Sequence, residues 1–363
     1  MKAAATRSTE RSARHGWRPA VIKYLGSKRV LLPRILEHVA PLRGVRTVLD
    51  VFSGTSRVAH ALKRLGHRVH ANDHNAYAAT LAICYVQADR RRWLARAERV
   101  IAELDAIPGE AGWFTETFCV LSRYLQPMNG ARVDAVRDRI AALALEPELE
   151  AIALVSLMEA ADRVDSTTGV QMAYLKQWAR RSYQPLRMRV PELLDGEGGA
   201  SCLEAVDAAR RFKADLAYLD PPYNQHSYLG NYHVWESLVR WDKPAVYGVA
   251  MKRCDVRERG SLFNRRGSIE AALRDVVRAL DARWILVSFS DEGYLRPEQV
   301  EALLSERGPV SREVVPHRRY VGHQIGIYNP QGVKVGTPGP DRNREILFLV
   351  DTQPARRRAR VPA

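Results

Sequence analysis

A mostly apolar run, Val45 to Phe52 (VRTVLDVF), stops at Ser53-Gly54, and no other feature of the chain constrains its fold as strongly. A short run of this kind closed by a glycine turn reads as a buried strand feeding a loop. Helical spacing follows from Ala59 to Leu65, and a second, alternating strand from His67 to Ala71 ends at Asn72-Asp73. Strand, glycine turn, helix, strand and acidic residue, in that order, open a doubly wound nucleotide-binding sheet.

The sheet resumes far downstream. Asp215 to Leu219 (DLAYL) and Trp284 to Phe289 (WILVSF) read as strands. Val310 to Tyr320 and Glu345 to Val350 read as a closing antiparallel pair, joined by the Gly- and Pro-rich stretch from Gly322 to Pro340. Between the two halves the texture changes. Leu94, Ala97, Val100, Ile101, Leu104 and Ile107 recur at helical spacing, as do Val133, Val136, Ile140 and Leu143. That is a largely helical insertion the size of a small domain, with Gly196 to Gly199 punctuating its end. The expected class is α/β, a mixed Rossmann-like sheet. Residues 20–75 and 200–353 form its main domain, 76–199 the helical insertion, and 1–19 and 354–363 basic tails.

Fifty-six Lys and Arg against 41 Asp and Glu leave a net charge of +15. A surplus of that size draws polyanions to the surface. Cys84, Cys119, Cys202 and Cys254 are scattered without a C-x-x-C pair, which argues against a zinc site and against a disulfide scaffold. No apolar stretch approaches the roughly 20 residues of a membrane-spanning helix. The basic N-terminus lacks an apolar signal core, so the cytoplasm is the expected compartment.

Two segments carry the chemistry. In Asp50-Val51-Phe52-Ser53-Gly54-Thr55-Ser56, a glycine just past a strand lets the backbone approach a ligand closely. One glycine instead of three disfavours a phosphate cradle and suits a cofactor such as S-adenosylmethionine. Asp73, 19 residues after Gly54, is placed to accept ribose hydroxyls, or else to cap the following helix. The second segment is Asp220-Pro221-Pro222-Tyr223, directly after a strand. Its prolines give up backbone donors and stiffen the turn, leaving carbonyls beside a carboxylate and an aromatic face. Asp220 and the Pro221 carbonyl can each accept a hydrogen from an amino group on a flat ring, with Tyr223 stacked on that ring. A Pro-Pro turn capped by Asp is the plainer alternative.

With Lys23-Tyr24-Leu25-Gly26-Ser27-Lys28, Phe52-Ser53-Gly54, Asp73 and Asp220 to Tyr223 in this order, the chain resembles the Dam-like adenine DNA methyltransferases from about Ile22 to Val350. The resemblance implies an S-adenosylmethionine-dependent methyltransferase fold, with Tyr24, Lys28, Asp73 and Asp220 contacting the cofactor beside Asp50, Phe52 and Gly54. It also implies that Asp220 meets the target base and that the helical insertion recognises the target. Independently, Tyr24 and Lys28 share a face if their segment is helical. Ser56 stands where the family has a second glycine, and no acidic residue near Ser201 to Glu204 clearly matches the one expected close to the cofactor's adenine.

The implied partner is double-stranded DNA, bound by a monomer, with any restriction endonuclease a separate protein. Basic clusters interleaved with aromatics are candidates for phosphate contact: Arg123-Tyr124, Arg180-Arg181 near Trp178 and Tyr183, and Lys252-Arg253 with Arg257 and Arg259. Asn224 to His233 is a candidate lining for a flipped base, and Gln126 and Asn129 are candidate base readers. None of the four cysteines follows a proline, as a cytosine carbon-5 enzyme needs. Glutamine-modifying methyltransferases begin the same turn with Asn. Amino methylation of RNA adenine or of DNA cytosine uses the same pocket logic and stays open, as does a DNA-binding relative without catalysis.

Overall fold

The computed structural model describes residues 22–26, 28–318 and 342–353. Ser27, both terminal tails and the stretch from Gly322 to Pro340 lie outside the described residues. Five strands run parallel: β1 (Thr47–Asp50), β2 (Arg68–Asn72), β3 (Gly198–Ser201), β4 (Lys213–Leu219) and β7 (Asp281–Ser290). A small antiparallel hairpin, β5 (Val246–Tyr247) and β6 (Lys252–Arg253), stands apart from the main sheet. The last two strands, β8 (Val310–Arg318) and β9 (Arg342–Asp351), complete a seven-stranded order β3-β2-β1-β4-β7-β9-β8, with β9 antiparallel to both neighbours. This is the mixed Rossmann-like sheet expected from the sequence.

Both faces of the sheet are covered. Along each strand, alternate residues serve two cores: Val48, Leu216, Leu286 and Leu347 on one side, Leu49, Ala217, Val287 and Phe348 on the other. Burial on both faces is why these strands read as continuous apolar runs. The first core also takes in α1 (Leu32–Val39), α2 (Arg57–Arg64) and α3 (Ala76–Ala82). Helices α4 (Arg90–Ala106), α5 (Pro127–Ala142) and α6 (Pro147–Arg163), between β2 and β3 in the chain, join the same core. Helix α6 is buried along nearly all of its circumference, from Leu149 to Asp162. The opposite face is closed by α7 (Ala205–Arg211), α9 (Ile269–Ala279) and α10 (Pro297–Ser305), while α8 (His233–Arg240) packs beside α3.

Strands β1 and β4 are neighbours although 168 residues separate their paired positions. Asp215 fixes their register. Its Oδ2 accepts from the Thr47 amide at 2.8 Å, the Thr47 hydroxyl at 2.8 Å and the Arg46 amide at 2.9 Å. Asp50 therefore pairs with Tyr218, and the chain leaves both strands at the same level. From β1 the sheet winds outward to β2 and β3, from β4 to β7, so the strand ends open at a topological switch point where such sheets bind ligands. Among the described residues no helix is long and apolar enough to cross a membrane.

Candidate active site

The loop after β1 is shaped by backbone conformation. Gly54 adopts φ +49° and Ser56 φ +55°, both left-handed. The Ser53 amide donates to the Asn72 carbonyl at 2.8 Å, and the Gly54 amide to Asp73 Oδ2 at 3.0 Å. Asp73 Oδ1 in turn accepts from the Asn75 amide at 2.9 Å and its side-chain amide at 3.1 Å. The end of β2 thus holds the glycine loop open. Tyr24 closes it from above: a Cβ on Gly54 would lie 3.4 Å from the Tyr24 ring. That ring stacks on Tyr228 (5.2 Å, 7°) and Tyr232 (4.5 Å, 13°), and its hydroxyl meets that of Tyr77 at 3.2 Å. Residues 22–26 and 28–30 are irregular or turn, not helical, and Gly26 sits at φ +74°. Tyr24 and Lys28 therefore point to different partners.

Lys28 is buried and reaches two carboxylates, Asp220 Oδ1 at 3.0 Å and Glu345 Oε2 at 3.1 Å. Burial pushes the Asp220 carboxyl up to about 6; the Lys28 ammonium pulls it down and Glu345 pushes it up. The same two carboxylates raise Lys28 well above the usual lysine range despite its burial. After Pro221 and Pro222, the Tyr223 ring leans on Phe289 at 5.9 Å, and the Tyr223 carbonyl accepts from the Tyr294 amide at 2.8 Å. The rigid turn is thus tied to the loop beyond β7.

Between the two segments lies an open cleft lined by Tyr24, Asp50, Gly54, Asp73, Asp220 and Phe263 among others. Residues 24–302 match the model of the D12 class N6 adenine-specific DNA methyltransferases. The chain belongs to that family. It is 27% identical to the modification methylase StsI of Streptococcus sanguinis over 92% of its own length and 52% of the relative's. The type II methyltransferase M.FokI of Planomicrobium okeanokoites is 27% identical over 82% of this chain and 50% of its own. The type II methyltransferase M.NlaIII of Neisseria lactamica is 26% identical over 82% of this chain and 92% of its own. The chain thus spans about half the length of the first two relatives and nearly all of the third.

The cleft of this D12 methyltransferase fits S-adenosylmethionine. Asp50 Oδ1, Ser53 Oγ and Asn75 Oδ1 are buried along it without a hydrogen-bond partner among the described residues. Burial raises the Asp50 carboxyl well above the usual range, and its neighbours Asp220 and Asp73 raise it further. Orphaned acceptors and crowded carboxylates want donors and positive charge, which a ribose, an ammonium and a sulfonium supply.

The cleft gathers Tyr24, Lys28, Asp50, Phe52, Gly54, Asp73, Asp220 and Pro222. Pro221 and Tyr223 flank it without lining it, the Tyr223 ring tilted against Phe289. Some basic and amide candidates are committed to the protein's own framework. Arg253 is fully buried between Asp242 and Asp255, Arg259 pairs with Glu236 at 2.8 Å, and Arg181 pairs with Asp165 at 2.7 Å. Asn129 spends its amide on the carbonyls of Ser182 and Gln184 and its oxygen on the Leu186 amide. Arg123 stacks on Trp178 at 4.8 Å. Sequence reasoning missed Glu345 and Phe263. The first precedes the apolar run inside β9; the second meets Phe52 edge-on at 5.0 Å from a short 3-10 turn, Leu262–Asn264. A charge next to that apolar run was the one available signal for Glu345.

Proposed function

We propose that this chain transfers a methyl group from S-adenosylmethionine to the exocyclic 6-amino group of adenine in a specific double-stranded DNA sequence, after flipping the base from the helix. One observation carries this reading. Asp220, ion-paired to Lys28, opens a rigid Pro-Pro turn on a cleft lined by the carboxylates of Asp50 and Asp73. Bound there, the cofactor supplies an electrophilic methyl group. The protein's own groups do the rest. The Asp220 carboxylate and the Pro221 carbonyl accept the two amino hydrogens, which raises electron density on the nitrogen. Tyr223 offers its ring face to the base. No nucleophilic side chain is required, since the amine itself attacks as the methyl–sulfur bond breaks; the thioether is the leaving group, and the surplus N–H proton passes by way of the Asp220 carboxylate to solvent. The helical insertion, residues 76–199, is the region proposed to recognise the target, and a paired endonuclease would be a separate protein.

The test is expression in a host that lacks adenine methylation, followed by genome-wide mapping of modified bases. N6-methyladenine should accumulate in one sequence context. Asp220→Ala should slow methylation at least about a hundredfold while still binding S-adenosylmethionine. A genome without modified adenine would rule the reading out.

A further inference from the structure

Lys28 has three N–H donors, and its two carboxylate partners come from the strands on either side of β7: Asp220 after β4 and Glu345 on the reversed strand β9, where it pairs with Ser290. Both Lys28 and Glu345 are buried, 9% and 6% exposed, so water does not stand in for either partner. We infer that Glu345 is a positioning residue for Asp220: it draws the Lys28 ammonium partly to itself, leaving Asp220 ionised yet incompletely neutralised. This rests on the amine-accepting role proposed above for Asp220.

Two requirements meet in that arrangement. A largely desolvated Asp220 without a cation would take up a proton and lose its value as an acceptor. An Asp220 that held the whole ammonium alone would spend its lone pairs and its charge on lysine instead of on the amino group. Sharing one ammonium between two carboxylates leaves the trio at one net negative charge. During methyl transfer positive charge develops on the target nitrogen, and a fixed negative environment favours that change. The other groups facing Asp220 are Asp50, Tyr218, Tyr223 and Tyr228. All four are unaltered in the variants below and leave the sign of each shift unchanged.

The test titrates Asp220 itself in the full chain by carboxyl carbon-13 NMR, assigned against Asp220→Asn, alongside the pH profile of single-turnover methylation. In wild type, burial pushes the Asp220 carboxyl up to about 6. In Glu345→Gln the ammonium belongs to Asp220 alone, so the midpoint and the acid limb should move down by about one pH unit. The rate should fall about tenfold, with KM for DNA little changed. Lys28→Gln should move the midpoint the other way, because two carboxylates then face each other without a cation. Glu345→Asp should restore most of the rate. A midpoint in Glu345→Gln equal to that of wild type, whatever the rate, overturns the inference. Should that variant fail to fold, Lys28→Gln decides, and an unmoved midpoint there overturns it equally. If midpoints shift as stated while no variant and no wild type methylates DNA, the charge relation stands and the proposed function falls.

Discussion

Ser56 holds φ +55° with its hydroxyl buried and without a hydrogen-bond partner among the described residues. The left-handed conformation costs a non-glycine residue about 1–2 kcal/mol, whereas the extra freedom of an unfolded glycine costs about 0.5–1 kcal/mol. The first figure is the larger, so Ser56→Gly should raise stability by up to about 1 kcal/mol, measured by denaturant unfolding; a loss would refute the account. The departure from a two-glycine loop was legible in the chain, but its conformational cost was not, because serine gives no sign of its φ. Gly54, Asp73 and Asp220 were legible because each sits at a strand end, where a period-two pattern stops. Glu345 was not, since its meaning depends on a lysine 317 residues away.

Strand assignments held at the scale of elements wherever both faces are buried, as in β4 and β7, with boundaries moving by a few residues. The antiparallel closing pair was legible too; its insertion order, with β9 between β7 and β8, was not, because pairing partners leave no local trace. Nor did spacing reveal how the helical insertion grips the front of the site. Lys23, next to the stacked Tyr24, bonds Asp165 Oδ1 at 2.9 Å and its amide bonds Asp162 Oδ2 at 3.1 Å, just past and within α6. Asp165 also receives Arg181 at 2.7 Å. Removing the shared carboxylate would leave Lys23 with Asp162 alone and strip Arg181 of its ion-pair partner. Asp165→Ala is therefore expected to cost about 1–2 kcal/mol and, by loosening Lys23 beside Tyr24, to weaken S-adenosylmethionine binding in calorimetric titration. Unchanged affinity in a folded variant would separate α6 from the cleft.

For the molecule as a whole, buried charge sets the pH response. Burial raises the carboxyls of Glu159 to about 7 and of Asp162 and Asp220 to about 6, and raises Asp50 and Asp73 as well. A carboxyl raised by folding contributes stability that is complete below its unfolded pKa and is lost as pH climbs through the folded one. Burial lowers His60 and His70 to about 4 and His233 to about 3. Those imidazoles act only once the unfolded chain begins to bind protons, below about 6.5. Thermal midpoints should consequently rise from pH 8 to about 6.5 and then level off as the two sets oppose each other; a fall over the first interval would contradict the burial described. The link from Lys28 to Glu345 also has a consequence in time. The charge on Asp220 is balanced only once β9 has left the ribosome and slotted between two strands already made. A nascent chain can assemble its cofactor cleft earlier, but the ion pairs around Lys28 are complete only when β9 has emerged.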